Sequence, residues 1–434
     1  MNAAEPGGKP PLARASVVVR HGKIWLVPTI TSALVALFLT LLYVGGILNP
    51  NGNLHHLPVA LVNTDQGPPL KGQRQPLGEQ LSRSIVAATP ADTVRWRHLN
   101  QAQMEDQLAS GKIYGALVIP PDFTVSVGAL TTPRATARPV LTILTNPGLG
   151  SFGSSLAGQI SQGAARQASL AIGRRLTTQA AANGAAPTAR ALLGDPITVT
   201  TRVGHPIGEH SGLGLTAFYY TLLLVLTAFV GGNIINSGVD AGLGYTDSEI
   251  GPWYTRNPTV PISRRQTLLL KMFMTAGITV LTTSLLMIAS IAILGMDATH
   301  LPLLWIFSFC ASLAVGLGVQ AINAAFGGIG QVVSMFVFVA LALPSSGATI
   351  PLEAVPDFYR FLALFEPMRQ LSDGVRAILY FDARSDAGLN RGWGMIAIGI
   401  ALALLFGFAM TFYYDRKGLE RAAPQPTSTP RQSP

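Results

Sequence analysis

The sequence predicts an α-helical integral membrane protein that crosses the bilayer six times and carries an extracytoplasmic α/β domain between its first and second spans. Composition is the first reason. Hydrophobic residues make up 49% of the 434 residues and charged residues only 12%, whereas a soluble domain carries about 25% charged residues. The second reason is that the apolar residues cluster in runs, most of them close to the roughly 20 residues that a helix needs to cross a bilayer.

The first run, 24–47, contains no charged residue and follows the basic N-terminal segment 1–23. Because it is longer than the apolar part of a signal peptide and no A-x-A cleavage site follows it, we interpret it as an uncleaved anchor. Residues 11–23 could form an interfacial helix or act only as a basic topology signal. Lys271, near the start of the third span, could extend its amine to the head-group layer. The five later spans are predicted at residues 213–235, 267–294, 301–321, 329–343 and 393–414.

Basic residues beside the spans predict the orientation, because short cytoplasmic flanks are enriched in Lys and Arg. The N-terminal segment, the loop 236–266 and the tail 415–434 carry Arg or Lys residues, and six spans place all three on one side. We therefore expect both termini in the cytoplasm, with the domain 48–212 and the segment 344–392 outside. The net charge of +9 then reflects topology and membrane lipids rather than nucleic acid. Abundant Arg, Ala and Gly indicate a bacterial genome and hence the bacterial plasma membrane, and the Pro- and Ser-rich tail is expected to be disordered.

The domain 48–212 has the pattern of a small α/β domain. Its last helix, 155–182, could cover the sheet or project as an arm toward a partner. Asp65, in the sequence VNTDQG, is typical of a turn, and cation binding is the alternative. The strands are predicted at residues 57–63, 93–99, 114–120, 138–145 and 197–203, and the earlier helices at 77–88 and 101–110.

The few polar residues of the later spans lie around the break between spans four and five. Gln320, Asn323 and Gln331 could line a translocation path, bond across a dimer interface, or only cap helix ends. No Asp, Glu, His or Arg lies in the middle of a predicted span, which disfavours a proton-coupled carrier because such a carrier needs a titratable relay.

Neither a metal site nor an enzyme is expected. The histidines nearest a metal-site pattern lie at the two ends of the outer domain, and no Cys or carboxylate cluster accompanies them. No metalloprotease or hydrolase motif is present. Cys310 is the only cysteine, so no intrachain disulfide forms. The histidines are His55, His56, His205 and His210.

Two stretches of the sequence resemble a known family. LPVALVNTDQGPPLKG, followed by QMEDQLASGKIYGALVIPPDF, is similar to the start of the outer domain of ABC-2-type permeases of the YhgE/Pip (phage infection protein) group. The segment SSGATIPLEAVPDFYRFLALFEPMRQLSDGVRAILYF (345–381) is similar to the region between the last two spans of ABC-2 permeases. The resemblance implies a homodimeric export permease that works with a separate cytoplasmic ATP-binding subunit. The chain contains no G-x-x-x-x-G-K-[ST] motif, so ATP would be bound by that partner, and no cofactor is expected in this chain.

Physical reasoning agrees with the second resemblance. The segment 344–392 is amphipathic, interrupted by prolines, and holds charged residues among apolar ones. We expect re-entrant helices before the last span, because irregular backbone at membrane depth needs cover from protein or water. The residues singled out are Pro351, Pro356, Glu366, Pro367, Arg369 and Arg376.

The loop 236–266 lies where ABC-2 permeases place their coupling element. Aromatic residues mixed with both signs of charge suit a protein docking surface. The alternative is a solvated loop anchored at the head-group level by Trp253 and Tyr254. The candidate docking residues are Asp240, Tyr245, Asp247, Glu249, Trp253, Tyr254 and Arg256.

The leading hypothesis is therefore an export permease subunit that moves an amphipathic compound, lipid or drug outward. The second hypothesis is a non-transporting membrane scaffold or receptor, such as a secretion accessory or a phage-adsorption factor. A neighbouring gene for an ATPase would favour the first, and a neighbouring secretion cluster the second.

Overall fold

The computed structural model describes residues 22–69, 74–130, 138–182, 193–419 and 421. Most of the expected interfacial helix before the first span, and residues 422–434 of the expected disordered tail, lie outside these ranges. The chain divides into two compact units, Met1–Leu48 and Asn49–Pro434. The first unit contains helix α1, Gly22–Ile47, which has no charged residue after Lys23. At 1.5 Å per residue this helix is about 39 Å long, more than the roughly 30 Å of a bilayer's hydrocarbon core.

Long apolar helices occur in both units. Large side chains such as Phe273 (79% exposed) and Leu405 (70%) project from them, and lipid removes such surfaces from water. The chain is therefore a membrane protein whose helices contact lipid, whereas the number of spans stays a prediction. Among the described residues, five stretches are long and apolar enough to cross a membrane: Pro28–Ile47, Thr216–Gly242, Arg264–Ile293, Leu301–Ser345 and Leu389–Arg416.

The second unit begins with a five-stranded sheet in which every predicted strand is present. The strand order is β2-β1-β3-β4-β5. Strand β1 runs parallel to β2 and β3, β3 runs antiparallel to β4, and β4 runs parallel to β5. Apolar side chains of β1 alternate between two cores, with Leu61 in one and Ala60 and Val62 in the other. The strands are β1 Leu57–Asn63, β2 Val94–His98, β3 Gly115–Ile119, β4 Val140–Thr145 and β5 Thr198–Val203.

Helices cover both faces of this sheet, as the nearly continuous apolar strands require. Helix α3, Gln101–Ala109, begins at a capping box between Asn100 and Gln103 and covers one face. The long helix α5 packs Ala165 and Ile172 against the opposite face, so it covers the sheet rather than projecting from it. Helix α4 was not predicted, because seven residues are too few to show a helical period. The helices of this second face are α2 Leu77–Ala87, α4 Phe123–Ala129 and α5 Ser151–Ala182.

Asp65 connects the loop after β1 to two helices. Its carboxylate accepts hydrogen bonds from the backbone N–H groups of Gly67 (3.1 Å), Gly78 (2.9 Å) and Thr124 (3.1 Å), and from the hydroxyl of Thr124. Four donors occupy the oxygens that a cation would need, so the turn interpretation describes this residue and the cation alternative does not.

Helices of the second unit form a bundle around α8 (Leu301–Phe326). It packs against α6 (Thr216–Gly242), α7 (Arg264–Met287) and α13 (Leu389–Arg416). Helices α6, α8 and α13 run in the same direction, whereas α7 runs opposite to them. Helices α6 and α13 therefore begin at one end, beside the sheet, and finish at the other. We call these the sheet end and the loop end. The loop 243–263 and the last residues of α13 share the loop end. A capping box between Ser263 and Gln266 begins α7. The helices are α6 Thr216–Gly242, α7 Arg264–Met287 with a π-helical continuation to Ile293, α8 Leu301–Phe326 and α13 Leu389–Arg416.

The chain reverses direction within the stretch Leu301–Ser345. Helix α8 ends at Gly327, whose φ of +60° favours glycine. The returning arm packs back on α8, since a methyl group at Gly318 would lie 2.6 Å from Cζ of Phe338. This arm is about 24 Å long if fully helical, which is shorter than a typical hydrocarbon core. Its helical pieces are α9 Gly330–Met335, the π turn Phe336–Ala340 and α10 Ala342–Ser345.

The segment between this arm and α13 folds as two helices at the sheet end. Helix α11, Asp357–Leu362, exposes Phe358 and Phe361, which are 57% and 62% accessible. Helix α12, Pro367–Tyr380, packs against α6 and α13. Short 3₁₀ turns at Leu352–Ala354 and Ser385–Ala387 precede α11 and α13. The depth of this segment in a membrane stays a prediction.

Candidate functional site

A cluster of buried ions lies at the loop end of the bundle. Nζ of Lys271 lies 2.7 Å from Oδ1 of Asp240, and Arg421 donates from Nη1 and Nη2 to the two oxygens of Asp240 at 2.7 and 2.8 Å. The amine of Lys271 also donates to Oδ1 of Asn236 at 2.6 Å. The side chains of Lys271 and Asp240 are only 6% and 9% exposed. Opposite charges compensate one another's loss of water.

This cluster corrects two expectations. Asp240 lies in the last turn of α6 and faces the bundle, so it is not part of an exposed docking loop. The side chain of Lys271 does not extend freely away from the bundle, because its amine is held inside it by Asp240. Its depth in a membrane stays a prediction.

A cavity of 410 Å³ opens beside the ion cluster, and we call it the loop-end cavity. Its positive side chains are Arg264, Lys271 and Arg421, and its apolar walls include Leu268 and Phe326. The volume lies within the roughly 300–1,000 Å³ of small-molecule pockets. A cationic and apolar lining is complementary to a negatively charged amphipathic molecule.

Polar side chains connect three helices next to this cavity. Nε2 of Gln320 on α8 donates to the carbonyl of Gly232 on α6 at 2.9 Å and to Oγ1 of Thr275 on α7 at 3.1 Å. One turn further, Nδ2 of Asn323 donates to Oδ1 of Asn233 at 3.0 Å. Gln320 is fully buried and Asn323 is 5% exposed. In this conformation both side chains tie helices of one chain together rather than only capping helix ends. A place at a dimer interface stays a prediction.

Two polar oxygens of this seam lack a hydrogen bond within the described residues, namely Oε1 of Gln320 and Oδ1 of Asn323. Asn323 lines the loop-end cavity. It also lines a smaller neighbouring cavity of 240 Å³, together with the exposed side chain of Gln331. Asn323 therefore lies beside both cavities, whereas the unsatisfied oxygen of Gln320 is buried between the helices. Lining a translocation path stays a prediction for these residues.

The loop that follows α6 contains a β-hairpin. Strands β6, Ser248–Ile250, and β7, Trp253–Thr255, pair antiparallel across a two-residue turn. Gly251 has a φ of +60°, the sign that a type II′ turn requires at its first central position. Ile250 and Trp253 face each other in the register and are 71% and 73% exposed. The hairpin therefore presents an apolar tip away from the bundle.

The other predicted docking residues mostly hold this hairpin and loop in place. Tyr254 donates its hydroxyl to Asp247 at 2.6 Å, and this bond raises the pKa of Tyr254. Asp247 also lies 3.6 Å from Nε of Arg256. Tyr245 donates to the carbonyl of Val260 at 2.9 Å. Glu249 pairs with Tyr254 in the strand register. Of the seven candidates, Trp253 and Tyr254 expose large aromatic surfaces, and docking stays a prediction.

Prolines divide the segment 344–392 where the sequence predicts breaks. Pro351 precedes the 3₁₀ turn Leu352–Ala354. Pro356 precedes the first residue of α11. Pro367 occupies the first turn of α12, where its missing N–H leaves no helical hydrogen bond unmade.

Two of the charged residues singled out in this segment, Glu366 and Arg376, are buried. The carboxylate of Glu366 accepts from the backbone N–H of Met368 at 2.6 Å at the start of α12. Burial raises the pKa of Glu366 to about 8. Arg376, only 4% exposed, donates from Nη2 to the carbonyl of Ala348 at 2.9 Å. Arg369 is partly buried and lines a cavity with Arg376.

The four histidines do not form a common cluster. Nδ1 of His55 contacts the carbonyl of Asn53, whereas His205 contacts the carbonyl of Tyr380 through Nε2 at 2.8 Å. His210 lies beside Asp297. Among the described residues, no three His, Cys, Asp or Glu side chains are grouped so that they could hold a metal ion.

Sequence reasoning missed Arg421 as part of the ion cluster and Asn233 as a hydrogen-bond partner of Asn323. Arg421 counted only as a positive topology signal, and Asn233 lies inside an apolar run. The available signal was the pair Asp240 and Lys271, which interrupt two neighbouring apolar runs close to the same predicted side of the membrane. Opposite charges placed so are candidates for an interhelical ion pair.

The chain is 29% identical over 130 residues to "Uncharacterized protein YhgE" of Bacillus subtilis (strain 168), a match that covers 30% of this chain and only 16% of that relative. This similarity confirms the YhgE-like part of the resemblance, but the ABC-2 assignment stays a prediction. No solved structure matches the chain. A family model described as "Protein of unknown function (DUF3533)" matches residues 29–405, and the chain therefore belongs to the DUF3533 family.

Proposed function

We propose that the chain is an ABC-2-type export permease subunit that moves an amphipathic compound, lipid or drug out of the cell together with a separate ATPase subunit. The loop-end cavity is the observation that carries this proposal. Three positive side chains and apolar walls surround 410 Å³ between helices. Two of the cations share the single carboxylate of Asp240, so positive charge remains in excess, and this combination suits a molecule with an anionic head and an apolar body.

The exposed hairpin tip supports the proposal that a separate ATPase subunit docks on this chain. Ile250 and Trp253 place exposed apolar surface at the tip of the hairpin that follows α6. Exposed aromatic residues are enriched at protein interfaces. A cytoplasmic ATP-binding subunit is the partner that would dock there.

Transport is tested with a variant that fills the cavity. Ala324 lines the cavity on α8, and Ala324→Phe should block an amphipathic substrate. Ile306→Phe is the matched control, because Ile306 is 48% exposed on the same helix. Cells that express each form together with the candidate ATPase are loaded with a fluorescent anionic amphipath, and its loss from the cells is followed.

Export predicts that Ala324→Phe retains the dye as a deletion strain does, whereas Ile306→Phe releases it like the natural protein. Trp253→Ala should reduce co-purification of the ATPase. If deletion leaves dye efflux and lipid export unchanged and no ATPase co-purifies, the permease proposal is wrong. In that case the scaffold or receptor alternative predicts that Ala324→Phe and Trp253→Ala leave the function of the protein unchanged.

A further inference from the structure

A second cavity lies at the sheet end, where the sheet domain meets α12, and we call it the sheet-end cavity. It encloses 140 Å³. Four positive side chains line it, Lys112, Arg369, Arg376 and Arg391, against two carboxylates, Glu353 and Asp373. The lining therefore carries a formal charge of +2 around a small, partly open volume.

Arg376 is the least satisfied of these cations. Its side chain is 4% exposed, and its closest carboxylate contact, from Nη1 to Oδ1 of Asp373, is 3.8 Å long. Nη2 donates to the neutral carbonyl of Ala348, but Nε has no hydrogen-bond partner within the described residues. A buried guanidinium without a close anion is costly. Because Arg376 lines the cavity, an anion there would place a negative charge close to its guanidinium.

Arg369 is the second cation that lacks a carboxylate. The structure gives it no ion pair among the described residues, although it lines the same cavity. By contrast, Lys112 lies 2.6 Å from Asp386, and Arg391 lies 3.4 Å from Asp373. Two arginines are thus left to face the cavity.

The nearby carboxylate Glu353 does not replace the missing anion. Oε2 of Glu353 accepts a hydrogen bond from the hydroxyl of Tyr114 at 3.3 Å. Burial raises the pKa of Glu353, because its charged form has lost water. Among the described residues, no ion pair joins Glu353 to Arg369 or Arg376.

Size and chemistry narrow the ligand class. The volume is well below the roughly 300–1,000 Å³ of drug-sized pockets, so the cavity fits a small group. Guanidinium groups bind tetrahedral and carboxylate oxyanions through paired N–H donors. We propose that Arg369 and Arg376 bind a phosphate group in the sheet-end cavity, either as free phosphate or as the head group of an anionic lipid. This proposal does not depend on the proposed transport activity.

The experiment uses the purified full chain in detergent and phosphate-free buffer. Inorganic phosphate is titrated by calorimetry to test the free anion. Mixed micelles of phosphatidylcholine and phosphatidylglycerol, followed by native mass spectrometry, test the lipid head group. Arg369→Gln removes one cation without leaving a carboxylate unpaired. Arg95→Gln is the control for loss of a positive charge, because Arg95 is exposed on β2 of the sheet domain and does not line the cavity. Arg376→Met is examined as well, where it folds.

We expect Arg369→Gln to weaken phosphate binding, or to lower phosphatidylglycerol retention, by about tenfold or more, as loss of a charge-assisted contact implies. Arg95→Gln should bind like the natural protein. Heat with inorganic phosphate identifies a free-anion site, whereas retention of phosphatidylglycerol alone identifies a lipid site. The proposal is overturned if inorganic phosphate gives no heat of binding and phosphatidylglycerol is retained no better than phosphatidylcholine. It is also overturned if Arg369→Gln and Arg95→Gln bind the active probe equally well.

Discussion

Removal of the Asp240 carboxylate should be among the most damaging single changes in the bundle. This group lies within 2.8 Å of nitrogen atoms of both Lys271 and Arg421. Asp240→Leu would leave Lys271, whose side chain is 6% exposed, with the amide of Asn236 as its remaining close partner. Breaking a buried ion pair from one side costs about 3–5 kcal/mol. We expect a loss of stability in that range.

The same geometry predicts how the stability costs of the neighbouring substitutions rank, and it predicts that a second substitution restores part of the lost stability. Lys271→Met leaves Asp240 paired with Nη1 and Nη2 of Arg421. Its cost in stability should therefore be smaller, about 1–3 kcal/mol. Arg421→Gln should cost less again, because Arg421 is 26% exposed and solvent screens its charge. The double change Asp240→Leu with Lys271→Met removes both buried charges, and replacement of a buried pair by apolar residues is often neutral. Part of the stability lost in Asp240→Leu should therefore return.

The assay is unfolding in detergent, followed by tryptophan fluorescence during heating. Asp357→Leu is the matched control, since the side chain of Asp357 is 91% exposed. The reasoning is refuted if Asp240→Leu has the same melting temperature as Asp357→Leu, or if the double variant is less stable than Asp240→Leu alone. Either result would show that the Asp240 carboxylate does not compensate the buried amine.

Three further changes test other regions. Burial raises the pKa of Glu366 from 4.5 to about 8, so the native state holds a proton that the unfolded chain releases. Stability should then fall by about 3–5 kcal/mol as the pH rises across that interval, and Glu366→Gln should abolish the fall in a melting-temperature profile. Gly374→Ala places a methyl group 2.3 Å from Cζ of Phe307, and melting should show a cost of about 1–3 kcal/mol. Asp65→Asn weakens the hydrogen bonds that anchor the loop after β1, so limited proteolysis of the sheet domain should accelerate several-fold.

Each of these has an outcome that contradicts it. Parallel pH profiles for the natural protein and Glu366→Gln would show that the carboxyl group titrates normally. Gly277 has open space around it, so Gly277→Ala is the control for Gly374→Ala, and equal losses would exclude the clash. Unchanged proteolysis in Asp65→Asn would show that the loop is held by other contacts.

The sheet domain was predictable because its signals are local. Apolar runs bounded by turn residues fix β1 as Leu57–Asn63, and the sequence NQAQ carries its own capping box at the start of α3. Helix α4 escaped prediction because its seven residues do not complete a hydrophobic period. Its place is set by contact of Phe123 and Val127 with the sheet core, which no local pattern reveals.

The boundaries of the bundle were less predictable because they depend on partners far apart in sequence. Helix α6 continues from the predicted end at residue 235 to Gly242. Hydropathy falls there because Asn236 and Asp240 are polar. Both side chains contact Lys271 of the next helix, and Arg421 contacts Asp240 from beyond the last helix. Tertiary pairing thus extends the helix past the point where its sequence ceases to look apolar.

The Asp240 cluster also bears on how a docked partner could influence the bundle. Arg421 stacks on the ring of Tyr245, with its guanidinium carbon 4.7 Å from the ring centre. Tyr245 begins the loop that carries the hairpin, and Arg421 lines the loop-end cavity. A displacement of the hairpin would therefore pass through Tyr245 and Arg421 to Asp240, and so to α6 and α7 on either side of the cavity. A proton relay would require a titratable group near the middle of a span, whereas this carboxylate lies at a helix end and is engaged by two cations. The arrangement thus favours mechanical coupling from the loop over proton coupling as the way in which access to the cavity would be controlled.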